Sequence, residues 1–253
     1  MTGPEDRYRA PALSKGLDIL ELLASDPAGC TQAEIAKTLG RTAPEIFRML
    51  MVLRDRGFVE QREDERYVLT MRLFELAHRH PPIRRLTVAA GEPMQDLADR
   101  INQSVHLAIL DGGSVVVMAQ VDGPDNHLNS VRLGARFPLV ETASGRVLAA
   151  WLAPDRLAAL SSHLPPGAAP GFLADLAQVR QAGGWEADSF SIRGVRNISA
   201  PIRDITGRVV AALTIPYLHR LTGGPHPPPG AAQAALRDTA LLISRRLGAG
   251  AQG

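Results

Sequence analysis

The stretch TQAEIAKTLGRTAPEIFRMLMVLRDR, residues 31–56, decides how the first part of the chain folds. Thr31 is followed three residues later by Glu34, and Thr42 by Glu45. Each pair has the capping-box spacing, in which the threonine oxygen serves the N3 amide and the glutamate reaches back to the cap amide. Gly40 follows Leu39, and Gly57 follows Arg56, as glycines do just past a helix end. The stretch therefore predicts a short helix, a tight turn and a longer helix. That is a helix-turn-helix, whose second helix can lie in a DNA major groove. In this second helix Ile46, Met49, Leu50 and Leu53 share a face suited to packing, while Arg48 and Arg54 fall away from it.

Upstream, ALSKGLDILELLAS (12–25) repeats Leu13, Leu17, Leu20 and Leu23 at helical spacing, and residues 1–11 are polar and read as disordered. Downstream, Phe58–Gln61 and Arg66–Leu69 read as two short strands around the charged turn Arg62-Glu63-Asp64-Glu65. A hairpin directly after a helix-turn-helix is a wing, which places Arg62 and Arg66 against phosphate. The acidic tip reads as solvated, because carboxylates repel phosphate. MRLFELAHRH (71–80) is a short amphipathic helix stopped by Pro81-Pro82. We place a winged DNA-binding domain at 10–70, a linker helix at 71–82 and a second domain at 83–248. Its first helix, 83–102, aligns Leu86, Ala90, Met94, Leu97 and Ile101, a face suited to packing on a sheet or pairing with another subunit.

The second half changes character. Ser104–Leu110 and Ser114–Val121 are strands rich in β-branched residues around Asp111-Gly112-Gly113, hence a hairpin. Asn129–Leu133 reads as a third strand and Gly134–Pro138 as a loop. Thr142–Leu152 and Pro154–Ser161 read as helices, His163–Gly171 as a loop, Phe172–Ala182 as a helix and 185–190 as a strand. Asn197–Arg203 and Arg208–Pro216 form a late strand pair. A Pro/Gly-rich loop, 222–230, precedes a last helix, Ala231–Leu247, and a frayed tail, 248–253. The class is mixed α/β (α+β), with an antiparallel sheet flanked by helices.

Composition narrows the function. The net charge of +2 is too small to announce a DNA-binding protein by itself, but residues 37–56 gather Lys37, Arg41, Arg48, Arg54 and Arg56 against Glu45 and Asp55. Aromatics at 4% argue against stacking platforms for single strands. One cysteine, Cys30, excludes an intrachain disulfide and a cysteine-based zinc site. The first ten residues lack the apolar core of a signal peptide and no apolar run suits a bilayer, so a cytoplasmic protein away from the membrane is expected. Thr142-Ala143-Ser144-Gly145 lacks the leading glycine of a nucleophile elbow, and there is neither a phosphate loop nor a His-Glu-x-x-His pair. No catalytic residue, cofactor or metal is expected.

Three segments in this order resemble the IclR family of bacterial transcription regulators, over about residues 10–247. They are LSKGLDILELLA with the helix-turn-helix and RGFVEQREDERYVLTMRLFELA; VRLGARFPLVETASGRVLAAWL; and GVRNISAPIRDITGRVVAALTIP. The resemblance implies a winged helix, a linker helix and a GAF-like effector-binding domain. It implies homodimers, or dimers of dimers, on a palindromic double-stranded operator. It also implies small organic acids, frequently aromatic or sugar-derived, as effectors. Arg146 stands where many members have lysine. Asn197 stands where one branch has cysteine, and Ala187 and Pro216 stand where that branch has polar effector contacts, so that branch's glyoxylate- or pyruvate-like effector does not carry over.

For DNA, Thr42, Ala43, Glu45 and Arg48 at the start of the second helix are candidates for base edges, with Arg48 able to donate twice to a guanine. Thr31 and Gln32 offer a hydroxyl, an amide and backbone N–H groups to phosphate, and Arg41 is a turn residue suited to the same role. Thr31 and Glu45 are caps first. For the effector, Thr142, Ala143, Ser144 and Gly145 form a helix start whose small residues either let a ligand approach or pack closely for their own sake. Asn197 and Thr214 supply polar groups in a mostly apolar pocket. Asp188 either binds a ligand hydroxyl or faces solvent. Met118, Leu133 and Phe137 form apolar walls or ordinary core. His106, between apolar strand neighbours, reads as a structural histidine, and His78 and His80 do not share a helix face for a metal. The expected function is a DNA-binding transcriptional regulator modulated by a small carboxylate or aromatic effector. The rivals are a sensor acting through protein contacts and an enzyme acting on the small molecule.

Overall fold

The computed structural model describes residues 10–79, 81–125, 129–162, 164, 167–219 and 226–250. The expected N-terminal disorder before Ala10, the end of the tail at 251–253, His80, His163 and residues 222–225 of the proline loop lie outside the described residues. By its internal contacts the chain divides into two compact units, residues 1–84 and 85–253.

In the first unit α1 (Pro11–Ser25) carries a proline in its first turn, where the missing N–H costs nothing. α2 (Gln32–Thr38) and α3 (Ala43–Asp55) follow, then the hairpin β1 (Val59–Gln61) and β2 (Tyr67–Leu69), and α4 (Arg72–Arg79). Gly40 and Gly57 sit at φ of 61° and 73°. There each lets the next residue's amide turn back onto the helix: Arg41 N–H donates to Ala36 O at 2.9 Å, and Phe58 N–H to Leu53 O at 2.9 Å. Ile19, Leu23, Ile35, Ile46, Leu50, Val59 and Tyr67 form the core. The α1 face differs from expectation: Ile19 and Leu23 are buried, whereas Leu13 and Leu17 are 64% and 50% exposed. Cys30 is buried and pairs backbone to backbone with Tyr67, so the hairpin gains a third short partner.

The second unit starts in α5 (Pro81–Ile101), for which Pro81 is the opening residue rather than only the stop of α4. Its sheet holds β3 (Val105–Asp111), β4 (Ser114–Val121), β5 (Arg136–Pro138), β6 (Trp185–Asp188), β7 (Val195–Arg203) and β8 (Val209–Leu218), in the order β5-β4-β3-β8-β7-β6. The recorded pairings are antiparallel. Helices α6 (Ala143–Ala149), α7 (Pro154–Ser161), α8 (Ala168–Ala182) and α9 (Pro229–Arg246) complete it. Alternation along the strands sorts two cores. Leu107 and its partner Leu213 face α5 and α9, while Ala108 and its partner Ala212 face α6 and α8. Leu86, Ala90, Met94, Leu97 and Ile101 lie in the first of these cores, which settles that face as packing on the sheet.

Two assignments change. The third strand is Arg136–Pro138, not Asn129–Leu133. Gly134, at φ 75°, reverses the chain after Arg132 and donates to Val117 O at 2.9 Å, so pairing begins beyond it. Pairing to the edge strand, not local composition, makes Arg136-Phe137-Pro138 a strand. Likewise α8 begins at Ala168 inside the stretch expected as loop.

Candidate functional site

In the first unit the helix starts are tied down by their own side chains. Glu34 N–H donates to Thr31 Oγ1 at 3.3 Å and Thr31 N–H to Glu34 Oε2 at 2.8 Å. Glu45 Oε2 accepts from Thr42 N–H at 3.1 Å and from the Thr42 hydroxyl at 2.9 Å. Gln32 Nε2 donates to Ala43 O at 3.0 Å, joining the two helix starts. Arg66 is committed too: it donates to Gly29 O at 2.7 Å and to Glu34 at 3.1 Å and 3.3 Å. Its guanidinium thus holds the wing against the α2 cap, a reason for an arginine there other than the phosphate contact expected. Arg48 lies exposed on α3, with only a long 3.4 Å contact to Pro44 O. Arg41 and Arg62 are exposed and make no side-chain ion pair with the described residues. The structure thus separates cations that brace the unit (Arg66, and Lys15 on Glu45) from those left to solvent (Arg41, Arg48, Arg62). Burial pushes the Cys30 thiol up and Asp26 adds to it, the opposite of a reactive thiolate.

In the second unit a cavity opens on the α6 side of the sheet, with about 540 Å³ of empty space counted to its open mouth. Its floor follows from register. His106 pairs with Thr214, and Thr214 with Ser199, so these three side chains share one face across β3, β8 and β7. Thr214 and Ser199 spend their hydroxyls on each other at 2.6 Å. Asn197 is the next residue of β7 on that face. Val115, Val117 and Phe137, which pairs with Val115 across β4 and β5, extend that face as apolar lining. Phe137 meets Phe190 edge-to-face with ring centroids 6.1 Å apart. The α6 start closes the rim. Thr142 caps it, accepting from Gly145 N–H at 3.0 Å, and the amides of Ala143 and Ser144 lie in the first turn, where no intrahelical acceptor exists.

Six expected residues therefore come together: Phe137, Thr142, Ala143, Ser144, Asn197 and Thr214. Four do not line the cavity. Gly145 is behind the rim, where a Cβ would stand 1.9 Å from Leu139 O, so its smallness serves helix packing. Met118 is the extra residue of a β-bulge, where the register passes from Leu107↔Ala119 to Ala108↔Val117. Leu133 is 61% exposed in the turn before Gly134. Asp188 ends β6 and is exposed. Sequence reading missed His106, Pro216 and the segment Ser189–Ile192 as lining residues. Strand alternation from Thr214 would have reached Pro216. The others depend on pairing and a loop path. Arg146, at the lysine position, lies outside the cavity, 2.7 Å from Asp175 and over the Trp185 ring. Among the described residues no group of acidic, histidine or cysteine side chains is placed to hold a metal, and no helix is long and apolar enough to cross a membrane.

Comparison with known proteins fits both halves. The model of the IclR helix-turn-helix domain matches residues 12–63, and that of the bacterial transcriptional regulator IclR C-terminal domain matches 83–245. The chain belongs to the IclR family. It is 31% identical to the glycerol operon regulatory protein of Streptomyces coelicolor over 250 residues, 94% of this chain and 97% of that one. It is 31% identical to the HTH-type transcriptional regulator KdgR of Escherichia coli over 193 residues, 73% of each. An IclR homolog of Microbacterium hydrocarbonoxydans, solved with 4-hydroxybenzoate, superposes with a TM-score of 0.77 at 26% identity, covering 93% of this chain and 98% of that one. The IclR structure of Thermotoga maritima gives 0.74 at 25% identity, covering 95% and 100%. The Streptomyces and Escherichia proteins are regulators by name. The first unit is accordingly an IclR-type DNA-binding domain, and the second an effector-binding domain.

Proposed function

We propose that this IclR-type regulator binds a small, compact organic acid with an apolar or aromatic body in the cavity beneath α6, and that occupancy alters its affinity for operator DNA. The observation that carries the reading is the cavity's make-up. Phe137, Phe190, Val115 and Val117 give it an apolar and aromatic lining, and His106, Ser144, Asn197 and Thr214 give it a few polar groups, none of them a lysine, arginine or carboxylate. The Ser144 hydroxyl and the Asn197 amide can hydrogen-bond the acid group, and the aromatic side chains can pack on its body. The 4-hydroxybenzoate held by a relative 26% identical supports that size and chemistry. On the DNA side, Arg48 and the exposed start of α3 read base edges, while Arg41, Arg62 and the α2 start meet phosphate. Gln32, Glu45 and Arg66 position these groups. Homodimers, or pairs of them, on a palindromic operator follow from one reading helix per chain.

The test is linkage. Ring acids and sugar acids are screened for a rise in thermal midpoint of the full chain, and operator affinity is then measured with and without the binders. A ring acid is expected to bind, to lose binding in Ser144→Trp, and to change operator affinity by the factor by which DNA changes its own. A bound ring acid that leaves operator affinity untouched, or that binds Ser144→Trp equally well, sinks the proposal.

A further inference from the structure

His106 stands out within the cavity. It is 8% exposed, it lines the cavity floor, and its Nδ1 is buried without a hydrogen-bond partner. No described side chain or backbone group bonds to its other ring nitrogen either. A buried polar atom normally has a partner, and leaving one orphaned costs free energy. Its strand neighbours do not supply one: Thr214 is spent on Ser199, and Gln120, paired with His106, turns its Nε2 to Asp122 at 2.9 Å and leaves its own Oε1 buried without a partner. Among the described residues lining the cavity none is charged. Lysine and arginine, which would bind a phosphate or a multiply charged acid, are missing from that wall.

We infer that His106 is the specificity group of this site, hydrogen-bonding an uncharged hydroxyl at the cavity floor, so that the effector is a hydroxylated ring carrying at most one negative charge. This rests on the cavity being the effector site. The chemistry favours a hydroxyl over other ligand groups. A neutral imidazole has one donor and one acceptor nitrogen, and a hydroxyl can answer either. Burial pushes the imidazole pKa down to about 4, so it stays neutral and offers no charge to a carboxylate. A carboxylate, which a neutral imidazole cannot balance, therefore does not belong at His106, whereas an uncharged hydroxyl does. Val115, Val117 and Phe137 offer only apolar contact to the ligand's ring.

The experiment uses calorimetry on the full chain with 3- and 4-hydroxybenzoate, benzoate, 4-methoxybenzoate and 4-methylphenol. Wild type is expected to prefer a hydroxylated ring over its unhydroxylated partner by on the order of ten- to a hundredfold. In His106→Phe the ratio is expected to fall towards one while benzoate still binds. His106→Gln, which keeps polar atoms, retains part of the preference and serves if the phenylalanine variant does not fold. Binding should release or take up no proton between pH 6 and 8, and the His106 ring nitrogen resonances should move only with hydroxylated ligands. An unchanged ratio in both variants, alongside loss of binding in Ser144→Trp, overturns the role of His106 and leaves the site standing. Proton uptake on binding overturns the neutral pairing. Binding of none of the five compounds overturns the ligand class, and binding undiminished in Ser144→Trp overturns the site itself.

Discussion

Lys15 Nζ lies 2.6 Å from Glu45 Oε1, so a side chain of α1 clasps the glutamate that caps α3. One carboxylate thereby does two jobs: it holds the first turn of the second helix and fixes that helix to the first. Base reading by Glu45 would require breaking both. The sequence spacing showed the cap, but not the lysine thirty residues upstream.

This clasp predicts an acid sensitivity. The hydrogen bond from Lys15, then the Thr42 bonds and the Lys15 charge, pull the Glu45 pKa from 4.5 to about 2. The unfolded carboxylate takes up its proton first as pH falls. The stabilisation is therefore complete above about pH 4.5 and is lost between there and about pH 2. Glu45→Gln keeps an acceptor for Thr42 but cannot answer the charge. Urea unfolding followed at the α3 amides should show wild type losing stability more steeply than Glu45→Gln from pH 5 to pH 2.5. Parallel curves would show that the carboxylate carries nothing.

The exposed arginines should divide by function. Arg48→Ala is expected to weaken specific operator binding by about ten- to a hundredfold and to relax preference at one base pair, the cost of a bidentate guanine contact. Arg41→Ala and Arg62→Ala should weaken binding evenly across sequences and lower the salt-dependence slope by roughly one each. Arg66→Ala should instead lower the thermal midpoint, because it unties Glu34 and Gly29. Fluorescence anisotropy on operator and scrambled duplexes at several salt concentrations separates the classes. An Arg48→Ala loss equal on both duplexes would remove α3 from base readout.

What was legible in the sequence was local. Thr31 with Glu34, Thr42 with Glu45, and Gly40 and Gly57 mark their helix ends through bonds between residues three to five positions apart, so the first unit could be read directly. Asn197 and Thr214 were legible as polar groups on the late strand pair, but that they share a face follows from its register. The cavity floor needed more. That His106 faces it depends on register across β3 and β8, residues more than a hundred positions apart. Met118 was misplaced because a one-residue bulge breaks the alternation that sequence reading assumes. The strand at Arg136–Pro138 exists only because β4 offers an open edge there.

Gly145 and Gly171 carry the sharpest contrast for one substitution. At Gly145 an added methyl would meet the backbone oxygen of Leu139 at 1.9 Å and Thr142 Oγ1, the cap of α6, at 2.7 Å. Backbone cannot yield there without moving the rim, so Gly145→Ala should destabilise by about 1–3 kcal/mol. At Gly171, inside α8, a methyl meets nothing within 4 Å and φ is ordinary. Gly171→Ala should stabilise by roughly 0.5–1 kcal/mol, since alanine loses less backbone entropy in a helix. For a unit of this size each kcal/mol moves the midpoint by about 2–4 °C, so the two variants should separate in opposite directions on one calorimetric scan. Gly145→Ala should also weaken ring-acid binding, because Thr142 and Ser144 shift with the helix start. A neutral Gly145→Ala would mean that the α6 start yields easily, and that the small residues of Thr142–Gly145 are there for the ligand after all.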